Sequence, residues 1–345
     1  MIRDAAGRFG HTPALIIVLC AAAAVALLSV ASGAYPLAIP DILKVLGGRE
    51  ANDPVASLVL LEVRMPRFLL GFLVGAVLAV SGALLQGLFR NPLADPGLIG
   101  VSAGASLAAI MVIVLGSTWL GGWLAFAGEW ALPVAAFFGG SATVFLAWRI
   151  ANRDGQTQVA TLLLSGIAIN AIAGAATGLL TFYATDDELR SLTFWTMGSL
   201  GHAGWDELMI GAPFMILALI VSPFLARPLD AFLLGESVVG HLGYPANTVK
   251  KAAILVVGLG VGAAVAVSGL IGFVGLVVPH LVRLVLGASH RVVLPFSALI
   301  GGTLLVAADS LARIVVAPAE LPIGLMMALI GGPFFLGLLM RRKVV

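Results

Sequence analysis

The sequence predicts an all-α, polytopic integral membrane protein, with about ten transmembrane helices and short interfacial and coupling helices between them. Three observations carry that expectation. Hydrophobic residues make up 60% of the 345 and charged residues only 10%, whereas a soluble domain carries roughly 25% charged residues. The apolar residues are gathered into runs of membrane length, and a span needs roughly 20 of them. Glycine contributes 42 residues, which in a helical membrane protein lets backbones approach closely. The net charge of +2 is too small to imply a nucleic-acid partner. The one cysteine, Cys20, sits inside an apolar run, so neither a disulfide framework nor a cysteine metal cluster is expected.

The ten expected spans are 14–33, 68–89, 97–115, 131–150, 159–183, 207–226, 252–268, 270–286, 292–308 and 323–340. The first resembles a signal peptide, with Arg3 and Arg8 before an apolar run that ends near Ala31-Ser32-Gly33-Ala34. Its run exceeds the roughly 7–15 residues of a signal core, which favours an uncleaved span. The seventh and eighth spans are separated only by Gly269, which calls for a tight turn. The ninth is short and can extend toward Arg313. No long linker, low-complexity tract or short-period repeat divides the chain, so residues 1–345 are expected to form one integral transmembrane domain.

An even number of spans puts both termini on one side. Assigning that side to the cytoplasm places Arg3, Arg8, Arg90, Arg149, Arg153, Arg227, Lys250, Lys251, Arg283, Arg291, Arg341, Arg342 and Lys343 there. Lys44, Arg49, Arg64, Arg67, Arg190 and Arg313 fall outside, a ratio of 13 to 6 that the positive-inside rule favours. The longer outer segments are then 34–64, 116–130, 184–206 and 309–322. In the third, Thr185 to Trp195 suits a short interfacial helix, and Trp195 and Trp205 suit the lipid–water boundary.

One cytoplasmic stretch differs from all the others. Residues 227–251 mix polar and apolar side chains, open near Pro228 and close on Lys250-Lys251. Pro228 and Asp230 suit the first turn of a helix. Leu229, Phe232, Leu233 and Leu242 can form a short apolar face. The stretch reads as a folded surface element on which something docks.

Candidate chemistry is scarce. No G-x-x-x-x-G-K-[ST] loop occurs, so the chain has no recognisable ATP site. Neither His-Glu-x-x-His nor clustered carboxylates offer a catalytic centre, so the chain is not expected to be an enzyme or to bind a metal or other cofactor. Membrane-embedded acids that relay protons are limited to Asp309, near a span end. Energy is therefore expected from another subunit. Residues 86–106 contain Asn91-Pro92-Leu93-Ala94-Asp95-Pro96, a tight connection in which Asp95 caps a helix that starts at Pro96.

That stretch, followed by Gly100 and Gly104-Ala105, resembles the permeases of type II ABC importers, which take up haem, ferric siderophores and cobalamin. Further matching motifs are Arg64-Met65-Pro66-Arg67, Gly166 to Asn170, Phe194 to Leu200, Leu234-Gly235-Glu236 with Leu242-Gly243, and Gly272 to Arg283. Ala308 to Arg313, Glu320 to Gly324 and Gly332 to Phe335 complete the set, which spans about residues 60–340. The resemblance implies ten helices per subunit, a second permease copy, two cytoplasmic ATPase subunits that use ATP and Mg, and a periplasmic binding protein, all in a bacterial inner membrane. It implies coupling to the ATPase through Leu234, Gly235, Glu236, Leu242 and Gly243. Asn91 and Leu93 match the family's cytoplasmic gate, while Gln156-Thr157-Gln158 lies in the region of the second gate without a residue-by-residue match. Arg64, Arg67 and Arg313 match arginines that meet acidic residues of the binding protein. Local pairing, Asp309 with Arg313 and Glu62 beside Arg64, is the alternative for them. His280 belongs to a motif shared across the family and reads as a packed histidine rather than a haem ligand, and Met197, Met326 and Met327 read as packing or lipid-facing residues.

Haem is the expected cargo, because Asp95 to Gly100 and Gly287 to Arg291 look most like the haem permeases; a ferric siderophore or cobalamin is the alternative. A secondary transporter would need inverted repeats or midplane ionisable residues, and an intramembrane enzyme a catalytic pair within the spans. Neither is evident. A full motif set in one unit makes a homodimer the expectation.

Overall fold

The computed structural model describes residues 10–341, apart from 34, 36, 52, 117, 118, 120, 154, 317 and 318. The terminal charges Arg3, Arg8, Arg342 and Lys343, and Ala34, lie outside the described residues. The chain is a helical bundle. In order it runs α1 (His11–Ala31), α2 (Ile39–Leu46), α3 (Pro54–Leu58), a π-helical turn (Val59–Arg64), α4 (Met65–Phe89), a 3-10 turn (Pro96–Ile99), α5 (Val101–Leu115) and α6 (Gly121–Ala127). It continues with α7 (Ala131–Ala151), a two-strand hairpin (Asn152–Arg153 with Gln156–Thr157), α8 (Val159–Tyr183), α9 (Asp186–Thr196) and α10 (Trp205–Val221). The last elements are α11 (Ala226–Phe232), α12 (Glu236–His241), α13 (Ala246–Ser268), α14 (Val274–Leu286), α15 (His290–Val315) and α16 (Ile323–Arg341).

The sequence led us to expect ten spans, but seven helices among the described residues are long and apolar enough to cross a membrane. They are His11–Ala31, Pro54–Phe89, Leu124–Ala151, Val159–Tyr183, Trp205–Phe232, Ala246–Ser268 and His290–Val315. The other three expected spans are shorter apolar helices, Val101–Leu115, Val274–Leu286 and Ile323–Gly337. For the first two the reason is backbone geometry that apolarity does not report. Pro96 and a left-handed Gly100 (φ 89°) divert the entry to α5 into a 3-10 turn. Gly269 (φ 67°) ends α13, and helix does not resume until Val274, after Phe273 at φ 67°. The outer segment expected from 309 in fact begins later, since α15 continues to Val315.

The core sits around α4, which packs against α15, α13, α14 and α10. Almost every residue from Val74 to Leu88 is buried. Close approach demands glycine at two crossings. A Cβ on Gly75 would overlap the Gly301 carbonyl of α15, and one on Gly82 would overlap the Gly275 carbonyl of α14. Dispersion between such closely spaced helices substitutes for the hydrophobic effect, which lipid cannot supply. The helix expected after Tyr183 is α9, opened by a capping box in which Thr185 Oγ1 accepts from Glu188 N–H and Glu188 Oε2 accepts from Thr185 N–H. Trp205 donates its indole N–H to the Leu61 carbonyl (3.0 Å), joining α10 to the π-helical turn.

Candidate functional site: two charged ends and a polar groove

The end expected to face the cytoplasm is built from α11, α12 and the start of α13. Ala226 to Phe232 continues the line of α10 through a 3-10 turn, Ser222–Leu225. The apolar face expected there divides in two. Leu229 and Phe232 are buried in the core, whereas Leu233, Leu234 and Leu242 stay exposed, Leu234 at 69% and Leu242 at 55%. Gly235 (φ 118°) and Gly243 (φ 81°) bracket α12 in conformations that L side chains rarely adopt. Leu234 and Leu242 flank a cleft of about 420 Å³ whose other walls include Arg227, Asp230, Tyr244 and Arg291.

Two polar anchors fix this surface to the bundle. Asp230 Oδ1 accepts from the His290 backbone N–H (2.7 Å) and faces His290 Nδ1 at 2.7 Å, while Ser289 Oγ donates to Oδ2 at 2.9 Å. Arg283 Nη2 reaches His290 Nε2 (3.2 Å) and the Ala83 carbonyl (3.1 Å), tying α14 to α15 and α4. On the other side Glu236 pairs with Lys250, which also donates to the Thr157 carbonyl at 2.8 Å. Of these residues the sequence argument singled out Glu236 for coupling and noted Asp230 only as a helix-start residue. Asp230 and Glu236 are the two acids of this mixed polar and apolar stretch, which was the available signal; their partners His290 and Lys250 lie 60 and 14 residues away, too far for local spacing to pair them.

The candidate gate lies between α4 and α5. Arg90 turns left-handed (φ 51°) and ends α4. Asn91 is exposed and its Oδ1 accepts from Leu93 N–H (3.0 Å) in a side-chain-closed turn. Asp95 caps the 3-10 turn as expected, accepting from Gly97 N–H at 2.8 Å. Its burial pushes the carboxyl above the usual range, and the Gly97 hydrogen bond opposes that shift. Beyond this loop runs a groove of about 310 Å³ lined by Ser102, Ser106, Asn170, Gly174 and Thr177 among its residues. Asn170 Nδ2 donates to the Gly97 carbonyl (3.0 Å), so this end of the groove is held to the gate loop. Small and hydroxylated residues at helical spacing carry no motif, which is why the sequence left the groove unassigned.

At the opposite end of α4 stand Arg64, Arg67 and Arg313, all turned into the protein. Arg67 binds Asp309 (Nη2 to Oδ1 2.8 Å, Nε to Oδ2 3.0 Å) and Glu320 (Nη1 to Oε1 and Nη2 to Oε2, both 3.0 Å). Arg313 Nε lies 3.2 Å from Asp309 Oδ2, and its Nη atoms donate to the Ser29 and Ser32 carbonyls. Arg64 donates to the Val30 and Tyr35 carbonyls rather than pairing with Glu62. The guanidiniums therefore stitch α4, α15, the α15–α16 connection and the end of α1 together. His280 is buried on α14, as expected of a packed histidine. Among the described residues no group of three or more His, Cys, Asp or Glu is disposed to hold a metal ion.

These features coincide with those of known proteins. Residues 19–341 match the model of the FecCD transport family. The chain is 45% identical to the hemin transport system permease protein HmuU of Yersinia pestis over 292 residues, covering 82% of this chain and 83% of that one. It is 43% identical to the cobalamin import system permease protein BtuC of Halobacterium salinarum, with 84% and 75% covered. Its fold superposes on a solved ABC transporter, described as of the metal-chelate type and inward-facing, with a TM-score of 0.83 and 31% identity over 96% of this chain and 99% of that one. The chain belongs to the FecCD transport family and is a membrane-spanning permease of a type II ABC importer.

Proposed function

We propose that this permease carries haem from the periplasm to the cytoplasm across a bacterial inner membrane, driven by two separate ATPase subunits. The observation that carries the ATP-driven reading is the cytoplasmic surface. Leu234 and Leu242 are exposed beside a cleft, on a segment anchored to the bundle by Asp230 and Glu236. Exposed leucines on a rigid polar-rimmed mount suit a protein partner rather than lipid or water. In this reading Leu234, Gly235, Glu236, Leu242 and Gly243 receive the ATPase.

The remaining roles follow from the same frame. All ten helices cross the bilayer, with both termini in the cytoplasm and residues 1–345 forming one domain. The short α5 spans with its 3-10 turn, and α14 with the non-helical residues 270–273; at about 1.5 Å per helical residue and up to 3.3 Å per non-helical one, both reach roughly 30 Å. Irregular backbone at that depth is tolerated where it is buried in protein or lines a water-filled cavity, and Leu270, half-buried, lines the groove. The groove along α5 and α8 forms half of the path, a second identical copy closes it, and Asn91 and Leu93 constrict its cytoplasmic mouth. Outside, Arg64, Arg67 and Arg313 outnumber Asp309 and Glu320 by one charge, which steers an acidic binding-protein surface.

Haem is favoured over other chelates by the sequences Asp95 to Gly100 and Gly287 to Arg291, and by the similarity to a hemin permease. Cobalamin is the second reading, favoured by the 43% identity to a cobalamin permease, and a ferric siderophore is the third. The test is uptake into proteoliposomes holding the permease, its ATPase and its binding protein, with haem, a ferric siderophore and cobalamin offered in parallel. ATP-dependent uptake of haem alone supports the whole reading. Uptake of another chelate replaces the cargo, and uptake without ATP overturns the mechanism.

A further inference from the structure

The hairpin between α7 and α8 is hydrogen-bonded to the ATPase-facing segment rather than standing free. Thr157 directs both backbone groups toward α13: its N–H donates to Asn247 Oδ1 (3.0 Å), and its carbonyl accepts from Lys250 Nζ (2.8 Å). Asn247 Nδ2 donates in turn to the Gly155 carbonyl. The Lys250 ammonium has a second acceptor, Glu236 Oε1, at the first position of α12. Its side chain is 4% exposed, whereas that of Glu236 is 47% exposed. Asn247 and Lys250 are three residues apart and so share one face of α13.

A buried ammonium is tolerable only where it is paired and its hydrogen-bonding capacity is used. Lys250 meets that condition through one acceptor on α12 and one on the hairpin. Separating either from it strands the charge, so the two acceptors are constrained to keep their spacing. We propose that Lys250 is the positioning residue that yokes α12 to the hairpin heading α8, delivering displacement of the ATPase-facing segment to the helix that lines the groove. The proposal rests on the ATP-driven reading above. Its contact on the hairpin is a backbone carbonyl, so the linkage acts on the position of the main chain and not on the identity of residue 157.

The test uses the complete complex in proteoliposomes on a Cys20→Ser background, which removes the only native thiol. Spin labels are placed at Arg153 on the hairpin and Ser237 on α12, both exposed. Electron paramagnetic resonance then reads their separation without nucleotide and with trapped ATP. With Lys250 present, the separation is the same in both states. Lys250→Met broadens it and lowers uptake per ATP about tenfold, within the range expected for loss of one coupling contact, while binding-protein affinity is unchanged. Asn247→Ala, which keeps the ion pair, gives a smaller change in the same direction and carries the test if Lys250→Met does not fold. The proposal is overturned if the separation shifts between states in the unsubstituted complex, or if both variants leave separation and uptake unaltered. A complex that takes up no cargo with ATP defeats the functional reading instead; the label separation in the isolated permease, with and without Lys250→Met, still decides the yoke.

Discussion

Replacing Arg67 by methionine separates a structural lock from a loose surface patch at the outer end of α4. The guanidinium makes two bidentate contacts of unequal worth. The contact to Asp309 is dry, with side-chain exposures of 11% and 5%, while Glu320 is 42% exposed. Removing one partner of a buried pair costs about 3–5 kcal/mol, because the remaining charge is stranded. Asp309 here keeps Arg313 at 3.2 Å, so the expected loss is smaller, about 2–3 kcal/mol. Glu320→Gln removes only the wet contact and should cost about 0.2–1 kcal/mol. The double variant Arg67→Met/Asp309→Asn removes both charges of this pair and should recover part of the loss, because Arg313 then keeps only its carbonyl acceptors at Ser29 and Ser32; a mutant cycle isolates the coupling. Denaturant titration of the purified permease in detergent micelles measures all three. If Arg67→Met were no more damaging than Glu320→Gln, the cluster would be solvent-screened and the lock argument would fail. The double variant then tests docking with part of the stability effect removed. Because it leaves the net charge of the cluster at +1, its affinity for the binding protein should stay near the unsubstituted value at low salt if the net field steers docking, and a drop would show that the Arg67 guanidinium itself makes the contact.

Other expectations concern packing, titration and coupling. Gly82→Ala places a methyl on the Gly275 carbonyl and should destabilise the bundle by about 1–3 kcal/mol, whereas Gly240→Ala, with open space around it, should be neutral or stabilising by up to about 1 kcal/mol; the same denaturant titration compares them. Asp95 has a raised carboxyl pKa, so the folded state favours its protonated form and loses stability as pH rises from the ordinary carboxylate range through the shifted value. Asp95→Asn retains the cap without that charge, and its thermal midpoint should fall less than the parent's between acidic and neutral pH. Leu234→Asp with Leu242→Asp should abolish co-purification of the ATPase. Glu236→Ala with Leu242→Ala should leave hydrolysis running without uptake, and unaltered transport would count against the coupling role of this surface.

What the sequence disclosed follows from the range of the interactions involved. Local signals translated well: the short helix after Thr185, the Asp95 cap before Pro96 and the break at Gly269 all depend on a few residues and appeared where expected. Hydropathy located the apolar helices but not their lengths, since it does not register that Phe273 and Gly100 hold left-handed backbone. Arginine positions were legible and their environments were not. Arg67 meets Asp309 across 242 residues and Glu320 across 253, so nothing near Arg67 in sequence showed that its charge is met within the fold. The groove beside Asn170 stayed hidden for a different reason. Serine, glycine and threonine on α5 and α8 are ordinary helix-packing residues until the third dimension leaves one side of them empty.

A transporter needs one part that holds still and another that moves, and the distribution of close contacts divides this fold accordingly. α4 and α15 meet glycine to glycine at Gly75 and Gly301, and α4 meets α14 at Gly82 and Gly275. Arg67 and Asp309 pin α4 to α15 at the outer end, and Arg283 with His290 bridges α14 and α15 to the Ala83 carbonyl at the inner end. Such a unit resists bending, because displacement at either end opens a buried polar contact. α8 is built otherwise. Its buried residues, Leu162, Ser165, Gly166, Ile169 and Ala173, all lie between 162 and 173, although the helix runs on to Tyr183. Beyond them Gly174 and Gly178 have open space where a side chain would point. Beyond residue 173 no α8 residue is buried within this subunit, while the start of the helix is gripped through Thr157. If the ATPase drives that grip as proposed, α8 is the helix the motion reaches first, and the close-packed α4–α15 pair is its support.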